Sequence, residues 1–536
     1  MTQRIRRLAA IDIGTNSIHM IIVEVDGRGY RIVDKEKEMV QLGRGSLGGN
    51  PLTEDAMMRG VTTLTRMCEI ARNFSVNEIL CVATSAVREA PNRHVFQRRV
   101  KKATGLAVMV ISGEREADLI FSAVRASVDF GDKAALCIDI GGGSVEFVVG
   151  TDDEVFFAQS LPLGALRLTQ KFFGHGAAGS KAAKECRRYV RKQIRKTANE
   201  IRGLDFDHAI GTSGTIQTLA NLAAEDEWSG DDISATLRWL EAGELKDLNE
   251  SFSVLTTSEI ARIFEIEMRR AESVLAGGIL LREILRQLRV DRLLSCTAAL
   301  REGMVIEALR NSGGGSADGS VRRTAVQALA EKSRCDLRHA SHVAKLALRI
   351  FDQTAELHAL GDAERELLEY TALLHEVGVH VAYQRYHKHT YYLIRHSGLD
   401  GFTDRQIAIM ANVARYHRRT EPIQEHGNFA ELTPAQREVV RRLAGILRIA
   451  VGMDRSRRQA IRDVEISISG KRIKLTLVSS RDPAIDIEFA KKGARYSSKL
   501  YGKKVAFSVS RSSGRSGGRP NMSGQRDSSE SRDWVH

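Results

Sequence analysis

IDIGGGSVEF, residues 138–147, joins two apolar segments through a turn of three consecutive glycines. The apolar run before the turn predicts a buried strand, and the alternating residues Val145–Gly150 predict a second strand. Glycines in such a turn can adopt positive φ and point successive backbone N–H groups at one anion. Asp139 enters the turn and Glu146 leaves it, as is needed to hold a hydrated Mg²⁺ against phosphate oxygens. By itself, the segment is equally consistent with a tight hairpin whose glycines serve only the turn geometry.

The segment AAIDIGTNSIHMIIVEV, residues 9–25, has the same strand–turn–strand layout. Asp12 and Asp139 are 127 residues apart, and so are Ser17 and Ser144. A repeat at this distance indicates a duplicated domain, because solenoid repeats are much shorter. We therefore expect two similar α/β lobes whose turns face each other across a cleft and hold a phosphate chain. The residues expected to bind phosphate there are Gly14, Thr15, Asn16, Ser17, Gly141, Gly142, Gly143 and Ser144.

The composition of this 536-residue chain, 43% hydrophobic, is typical of a soluble protein with three or four domains. Its six cysteines are scattered and form no CxxC pair, which predicts reduced thiols in the cytoplasm rather than a disulfide framework. The N-terminus lacks the apolar core of a signal peptide. No apolar run approaches the roughly 20 residues that cross a bilayer, so we expect no transmembrane segment.

The net charge of +13 is concentrated in the second half of the chain. Residues 321–536 carry 38 Lys and Arg against 24 Asp and Glu, whereas residues 1–320 carry 42 against 43. A surface of that sign attracts polyanions such as inorganic polyphosphate, nucleic acid or anionic lipid. The alternative is a solvated basic surface that has no partner.

Three further segments place polar residues where a predicted strand leads into a helix. In Ala83–Arg88, the arginine would lie in the first helical turn, where a helix N-terminus attracts phosphate, unless it is an ordinary surface residue. In Ser112–Asp118, Ser112 is a candidate N-cap, and the position of Glu116 favours a purely structural role beside the helix dipole. The glycine-hydroxyl turn at residues 211–216 opens another helix, although a lone turn of this kind is a weak signal.

The sequence changes character at residues 311–320, a Gly/Ser-rich segment that predicts a flexible linker. Helical patterns fill residues 321–460, and residues 461–510 predict a small α+β domain that includes a strand at Ile485–Phe489. The Ser/Gly/Arg-rich tail, residues 511–536, is expected to be disordered. The domains expected before the linker are lobe I, residues 1–130, and lobe II, residues 131–310.

The order of these motifs resembles the exopolyphosphatase/guanosine pentaphosphate phosphatase family, whose members have the duplicated ribonuclease H-like lobes of the actin-like ATPase superfamily. The resemblance covers residues 5–310, and the whole chain looks like the longer, multidomain type of this family. Sugar kinases and heat-shock chaperones share the two glycine turns but lack the Ser-Gly-x-x-Glu-Ala segment. The segments that carry the resemblance are AAIDIGTNSIHMIIVEV, ATSAVREAPN (83–92), VISGEREADLIFSAV (110–124), IDIGGGSVEFVVG (138–150), SLPLGALRL (160–168) and GTSGTIQTLA (211–220).

The resemblance implies that Glu116 is the catalytic carboxylate, which orients or deprotonates the attacking water. It also implies that Asp139 and Glu146 bind Mg²⁺, since carboxylates beside a polyanion would repel it without a metal ion. Arg88 and the two glycine turns would grip the terminal and next phosphates. The third turn corresponds to the nucleotide-side turn of the superfamily, which a polyphosphatase can use for phosphate or only for its fold. The residues of this third turn are Gly211, Thr212, Ser213 and Gly214.

The C-terminal helices resemble an HD-type hydrolase domain. His339 matches its first histidine, and Asp454 matches its final aspartate. His375 is followed by Glu376 where His-Asp is usual, and this departure favours a vestigial domain over a working metal site. Four other histidines either line a groove for phosphate chains or are ordinary helix residues: His387, His389, His396 and His417.

The sequence leaves several functions open. The first is an exopolyphosphatase that removes terminal phosphate from inorganic polyphosphate with Mg²⁺, using the basic C-terminal half to hold the polymer. A guanosine pentaphosphate (pppGpp) phosphatase would use the same chemistry, and a non-catalytic polyphosphate or nucleotide sensor is disfavoured by the three carboxylates. The tail has only Trp534 for stacking, so nucleic acid is not an expected partner. A homodimer formed through the C-terminal half is an expectation from the resemblance alone.

Overall fold

The computed structural model describes residues 6–26, 29–128, 130, 133–174, 180–223, 237–311 and 321–511. The chain divides into an N-terminal unit that ends at Arg322 and a C-terminal unit that begins at Arg323. Most of the linker expected at 311–320 and of the tail expected at 511–536 lies outside the described residues. None of the helices in the described ranges combines the length and the apolar composition that a bilayer crossing requires.

Lobe I is built on a five-stranded sheet in the order β3-β2-β1-β4-β5. The first three strands pair antiparallel, and β4 and β5 add in parallel to β1 and to β4. The elements are β1 (Arg6–Ile13), β2 (Ile18–Asp26), β3 (Gly29–Glu38), α1 (Glu54–Asn73), β4 (Glu78–Ala83), α2 (Ser85–Glu89), α3 (Arg93–Thr104), β5 (Met109–Val110) and α4 (Gly113–Ser127).

Lobe II repeats this topology in a six-stranded sheet with the order β10-β11-β9-β6-β7-β8. β6 to β8 correspond to β1 to β3, β9 and β11 to β4 and β5, and β10 is an added antiparallel edge strand. The duplicated domain predicted from the 127-residue repeat and the ribonuclease H-like fold implied by the resemblance are therefore confirmed. The elements are β6 (Ala135–Ile140), β7 (Val145–Gly150), β8 (Val155–Leu161), α5 (Ala165–Phe172), α6 (Ser180–Ile201), β9 (His208–Thr212), α7 (Ser213–Ala223), β10 (Leu237–Glu241), α8 (Ala242–Phe252), α9 (Thr257–Ile263), α10 (Met268–Leu288), β11 (Arg292–Cys296) and α11 (Leu300–Asn311).

The two lobes exchange helices. α4 follows the strands of lobe I in the chain but packs on β7 and β8 of lobe II, and α11 follows lobe II but packs on β1. The two helices also pack on each other, and a side chain at Gly303 would overlap the backbone of Leu119. One apolar cluster consequently contains residues of both sheets and of both helices, which ties the lobes together.

The C-terminal unit is mainly helical and ends in a three-stranded sheet, β12-β13-β14. Its helices and its sheet share one apolar core, so the α+β part does not pack as a separate body. The strand predicted at Ile485–Phe489 is wrong, because a short alternating run also fits one helical turn, and these residues begin α20. The elements are α12 (Val321–Lys332), α13 (Leu337–Gln353), α14 (Ala355–His358), α15 (Asp362–Leu374), a 3-10 helix (Val377–His380), α16 (Tyr386–His396), α17 (Asp404–Tyr416), α18 (Gly427–Ala430), α19 (Pro434–Met453), β12 (Ile461–Ser469), β13 (Arg472–Ser479), α20 (Ala484–Tyr501) and β14 (Lys504–Arg511).

Candidate active site between the two lobes

The two glycine turns have the same closure and face each other. Gly14 N donates to Ser17 O over 3.0 Å, and Gly141 N donates to Ser144 O over 3.0 Å. A Cβ atom added to Gly142 would lie 3.2 Å from Cβ of Thr15 in the opposite lobe. The predicted phosphate-binding turns therefore meet at one place between the lobes.

The expectation of positive φ at the turn glycines is wrong, since neither Gly14 nor the run Gly141–Gly143 adopts the left-handed conformation. Glycine is required in the lobe II turn because Gly142 and Gly143 lie directly against residues of lobe I. A Cβ atom on Gly143 would lie 2.7 Å from Thr15 Oγ1 and would overlap the Ser85 hydroxyl. Glycine at these positions lets lobe II approach lobe I to within direct contact.

The strands that flank each turn bring two polar side chains side by side. In lobe II, Asp139 on β6 pairs with Glu146 on β7, and in lobe I, Asp12 on β1 pairs with His19 on β2. Each of these lobe I positions lies 127 residues before its lobe II counterpart. The Thr212 hydroxyl of the third turn donates to Asp139 Oδ2. The repeat thus places equivalent side chains at the two turns.

Glu116, in the first turn of the exchanged helix α4, belongs to the same site and bonds to Arg88 of lobe I. The Ser112 hydroxyl accepts from Arg115 N over 3.1 Å and caps α4, which positions Glu116 in the first helical turn. Arg88 Nη1 donates to Glu116 Oε2 over 2.8 Å and to Ile111 O over 3.1 Å. Arg88 is thus held by two acceptors rather than extended into solvent, and the catalytic candidate is already paired with a cation.

Burial makes these carboxylates difficult to ionise. It raises the pKa of Asp12 to about 7 and that of Asp139 to about 6. Burial also raises the pKa of Glu116 to about 7, to which Asp12 and Asp139 add while Arg88 opposes them. The pKa of Glu146 is raised well above its ordinary value by burial and then by Glu116 and Asp139. Asp12 thus interacts electrostatically with Asp139, Glu116 with both of these, and Glu146 with Glu116 and Asp139.

Oxygen donors in this group suit a hard cation. Asp12 Oδ1 and Glu146 Oε2 are buried and have no hydrogen-bond partner in the described part of the chain. The other oxygen of Glu146 accepts from Ser160 Oγ over 2.8 Å. Mg²⁺ is bound by few carboxylates together with water and phosphate oxygens. Asp139 and Glu146, which face each other across their hairpin, and Asp12 of lobe I each offer oxygen donors of the type that Mg²⁺ prefers.

The third turn contacts the same site from lobe II. Ser213 has a φ of +88°, which is unusual for a residue with a side chain. A Cβ atom on Gly214 would lie 2.9 Å from Arg270 Nη1, so a guanidinium group lies against this turn. Through the bond from Thr212 to Asp139, the third turn contacts a carboxylate of the site, while phosphate binding by Gly211–Gly214 stays a prediction.

Sequence reasoning missed several residues of the site. His19 Nε2–H donates to Ser17 Oγ over 2.6 Å, and Arg301 Nη1 donates to His19 Nδ1 over 3.2 Å. Arg167 Nε donates to Gly143 O over 2.7 Å. The 127-residue repeat could have found His19 as the counterpart of Glu146. No sequence signal links it to Arg301, because 282 residues separate the two.

The other predicted histidines lie in the C-terminal unit. His339, His375 and Glu376 come close together, and the His339 ring bonds to Asp454 over 2.8 Å. His417 is buried, and its ring centroid lies 5.3 Å from that of His375. Two of the remaining three, His389 and His396, are partly exposed and His387 is buried.

Two actin-like lobes that face each other across glycine turns and buried carboxylates define a class of phosphate-handling enzymes. The sequence profile of the Ppx/GppA phosphatase family matches residues 21–312, and that of domain III of the Ppx/GppA phosphatases matches residues 321–486. The chain belongs to the Ppx/GppA phosphatase family and is a hydrolase that acts on phosphoanhydride bonds.

Similar proteins include both activities of the family. A guanosine-5'-triphosphate,3'-diphosphate pyrophosphatase of Vibrio vulnificus (strain YJ016) is 29% identical over 476 residues, which span 88% of this chain and 91% of the relative. The crystal structure of an exopolyphosphatase from Cytophaga hutchinsonii is 29% identical, with a TM-score of 0.54, over 58% of this chain and all of that one. A Ppx/GppA family member of Aquifex aeolicus is 30% identical, with a TM-score of 0.50, over 57% of this chain and 99% of that one.

Proposed function

We propose that this protein is an exopolyphosphatase that hydrolyses the terminal phosphoanhydride bond of inorganic polyphosphate with Mg²⁺ and releases orthophosphate. The observation that carries the proposal is the gathering of four buried carboxylates from both lobes beside two facing glycine turns. Phosphoryl transfer needs mainly positioning and neutralisation of charge, which such a site supplies.

Glu116 has the position and the protonation behaviour of a general base. Its burial raises the pKa to about 7, so near neutral pH it can both accept a proton and release it. Its partner Arg88 holds the carboxylate in place through a 2.8 Å bond and offers the remaining guanidinium donors to phosphate oxygens. We assign Glu116 to orienting and deprotonating the attacking water.

Asp139 and Glu146, with Asp12 from lobe I, are the residues that would hold Mg²⁺. When bound, the ion would neutralise charge on the phosphate oxygens and permit the carboxylates to remain ionised beside a polyanion. The backbone amides of the turns at Gly14–Ser17 and Gly141–Ser144 would hold the last two phosphates. The third turn, Gly211–Gly214, would support Asp139 through the Thr212 hydroxyl and contribute to phosphate binding.

Two observations bear on the substrate. The charge of the C-terminal half favours a long polyanion, since a basic surface raises the local concentration of such a polymer. The Vibrio vulnificus relative, which spans most of this chain, favours pppGpp 5'-phosphate hydrolysis as the second candidate. Either substrate presents a terminal phosphoanhydride to the same carboxylates.

We also propose that the protein forms a homodimer and is located in the cytoplasm. Six cysteines without a disulfide support a reducing compartment. Light scattering of the purified full-length chain would decide between monomer and dimer.

Phosphate release from long-chain polyphosphate, tripolyphosphate and pppGpp, each with and without Mg²⁺, tests the proposal. We expect Mg²⁺-dependent turnover of long chains that exceeds turnover of tripolyphosphate and weakens at raised salt, because salt screens the basic surface. Faster turnover of pppGpp at equal concentrations would establish the second candidate instead. Binding of both substrates without any turnover would identify a sensor and overturn the enzymatic proposal.

A further inference from the structure

A group of metal-ligand side chains lies inside the C-terminal unit and takes no part in the chemistry proposed above. One ligand atom each of His339, His375 and Glu376 lies within 4.8 Å of the other two. His375 is fully buried and His339 is 5% exposed. The three residues come from α13, from the C-cap of α15 and from the N-cap of the following 3-10 helix. Chain segments that are distant in sequence thus converge on one point.

Hydrogen bonds fix the tautomers of the two imidazoles. His339 Nδ1–H donates to Asp454 Oδ2 over 2.8 Å, and His375 Nδ1–H donates to Ala372 O over 2.7 Å. Because a neutral imidazole carries only one proton, both Nε2 atoms keep a lone pair. A carboxylate or carbonyl that accepts from the second ring nitrogen is the usual support of a metal-ligating histidine.

The lone pair of His375 is the decisive feature. Its Nε2 is buried and has no hydrogen-bond partner within the described ranges of the chain. An unpartnered polar atom inside a protein costs free energy, so such atoms are rare without a function. A metal ion at the point where the three side chains converge would satisfy it.

The surrounding groups are arranged around the same point. Glu376 Oε2 accepts from Arg457 Nη2 over 2.5 Å, and its other oxygen accepts from the Tyr386 hydroxyl over 3.3 Å. That hydroxyl also lies 3.3 Å from His417 Nε2, while His417 Nδ1–H donates to Ala414 O over 2.5 Å. A third imidazole of the same tautomer therefore stands beside the group.

We propose that the C-terminal unit binds one divalent transition-metal ion through His339, His375 and Glu376. Two imidazoles and one carboxylate suit Zn²⁺ or Mn²⁺, whereas Mg²⁺ prefers an all-oxygen site. Asp454 supports the site from outside by orienting the His339 ring. Glu376, which follows His375 and in the sequence argued against a metal site, has a carboxylate oxygen within 4.8 Å of a ring nitrogen of each histidine.

Metal retention by the full-length protein tests this site. The chelator-stripped chain is incubated with ZnCl₂ or MnCl₂, desalted, and its metal content measured by inductively coupled plasma mass spectrometry. We expect about one Zn²⁺ or Mn²⁺ per chain in Glu146→Gln, in which a carboxylate of the cleft is removed, and the histidine substitutions are made in this background. His339→Gln and His375→Gln should each lower affinity by roughly 100-fold or more. His380→Gln, an exposed histidine of the adjacent 3-10 helix, is the matched control and should retain the metal.

A second measurement keeps all three proposed ligands in place, so it does not depend on the folding of the histidine variants. Zn²⁺ or Mn²⁺ added to stripped Glu146→Gln should raise the thermal unfolding midpoint of the C-terminal unit in a concentration-dependent manner, because the ion binds only the native state. The proposal is overturned if neither Zn²⁺ nor Mn²⁺ is retained stoichiometrically. It is overturned as well if neither ion raises that midpoint. It is also overturned if His339→Gln and His375→Gln keep the full metal content.

Discussion

The two lobes share a strand–turn–strand scaffold but differ at one of the two polar positions that face each other across its strands. In lobe II, Asp139 faces Glu146, and in lobe I, Asp12 faces His19. Glu146 is an acid with an unpartnered buried oxygen. His19 donates to one neighbour and accepts from another, so both of its nitrogens are engaged.

The surroundings of His19 explain its chemical state. Burial lowers the pKa of His19 to about 3, and the nearby cations Arg301, Lys37 and Arg270 lower it further. The imidazole of His19 is therefore neutral and lies among cations. Glu146, its counterpart in lobe II, lies among acids. Duplication supplied one scaffold twice, and the difference between His19 and Glu146 leaves one buried acid on this face of lobe I and two on the matching face of lobe II.

Glu116→Gln should have the largest effect. Loss of the general base is expected to lower kcat by roughly 10³-fold, within the usual range for such residues, while substrate binding persists. Glu114→Gln, at an exposed position in the same helical turn, is the control and should retain activity. Steady-state kinetics with a binding assay would measure both, and wild-type kcat in Glu116→Gln would remove its catalytic assignment.

Glu146→Gln should strongly weaken the binding of Mg²⁺. Loss of a residue that only supports a metal ligand lowers metal affinity by up to roughly 100-fold. Because Glu146 is itself a proposed ligand, we expect the affinity for Mg²⁺ to fall by at least that much. Ser160→Ala, which removes only the bond to Glu146 Oε1, should weaken Mg²⁺ binding less. Mg²⁺ titrations of phosphate release would show the order of these effects. Equal Mg²⁺ requirements in all three proteins would contradict a metal role for Glu146.

His19→Gln tests the opposite side of the comparison with a smaller effect. Loss of one hydrogen bond in the Ser17–His19–Arg301 chain should lower kcat/KM about 5-fold at saturating Mg²⁺, without a change in the Mg²⁺ requirement. If the Mg²⁺ requirement rose as far as in Glu146→Gln, His19 and Glu146 would have the same role and the comparison would fail.

The pH dependence of stability tests the acids of both lobes together. Folding raises the pKa of Asp12, Glu116 and Asp139, so the native state holds protons that the unfolded chain releases. This contribution is full at low pH and is lost as pH rises through about 6 to 7, with a slope of about 1.4 kcal/mol per pH unit for each proton.

Chemical denaturation in EDTA at several pH values between 5 and 8 would give the free energy of unfolding of the N-terminal unit, and hence that slope. Mg²⁺ should reduce the loss because it stabilises the ionised carboxylates, and Glu146→Gln should show a weaker dependence on Mg²⁺. A stability that rises with pH in EDTA would contradict the raised pKa values.

Sequence reasoning reached furthest where the repeat carried information. The register of the two hairpins follows from alternation and spacing, so the sequence alone places Asp139 and Glu146 on one face of their hairpin. The conformation of the turn glycines does not follow from the sequence, because Gly142 and Gly143 lie against Thr15 and Ser85 of the other lobe. Local sequence carries no information on such contacts.

The C-terminal unit shows the same limit. Alternation over Ile485–Phe489 predicted a strand, yet the segment is helical and Asp486 accepts from Ser456 N and Oγ. Five residues do not distinguish a period of 2 from a period of 3.6, so packing against α19 decided the outcome.

The amino-acid sequence by itself indicated the duplicated topology through periodicity and repeat spacing, and it indicated the family and the catalytic role expected for Glu116 through the resemblance of its motifs. Only the tertiary structure decided which partners each side chain meets. The exchange of α4 and α11 between lobes, the Arg88–Glu116 bond and the convergence of His339, His375 and Glu376 join residues far apart in the chain. Such contacts depend on how apolar faces are buried together, which no single segment specifies.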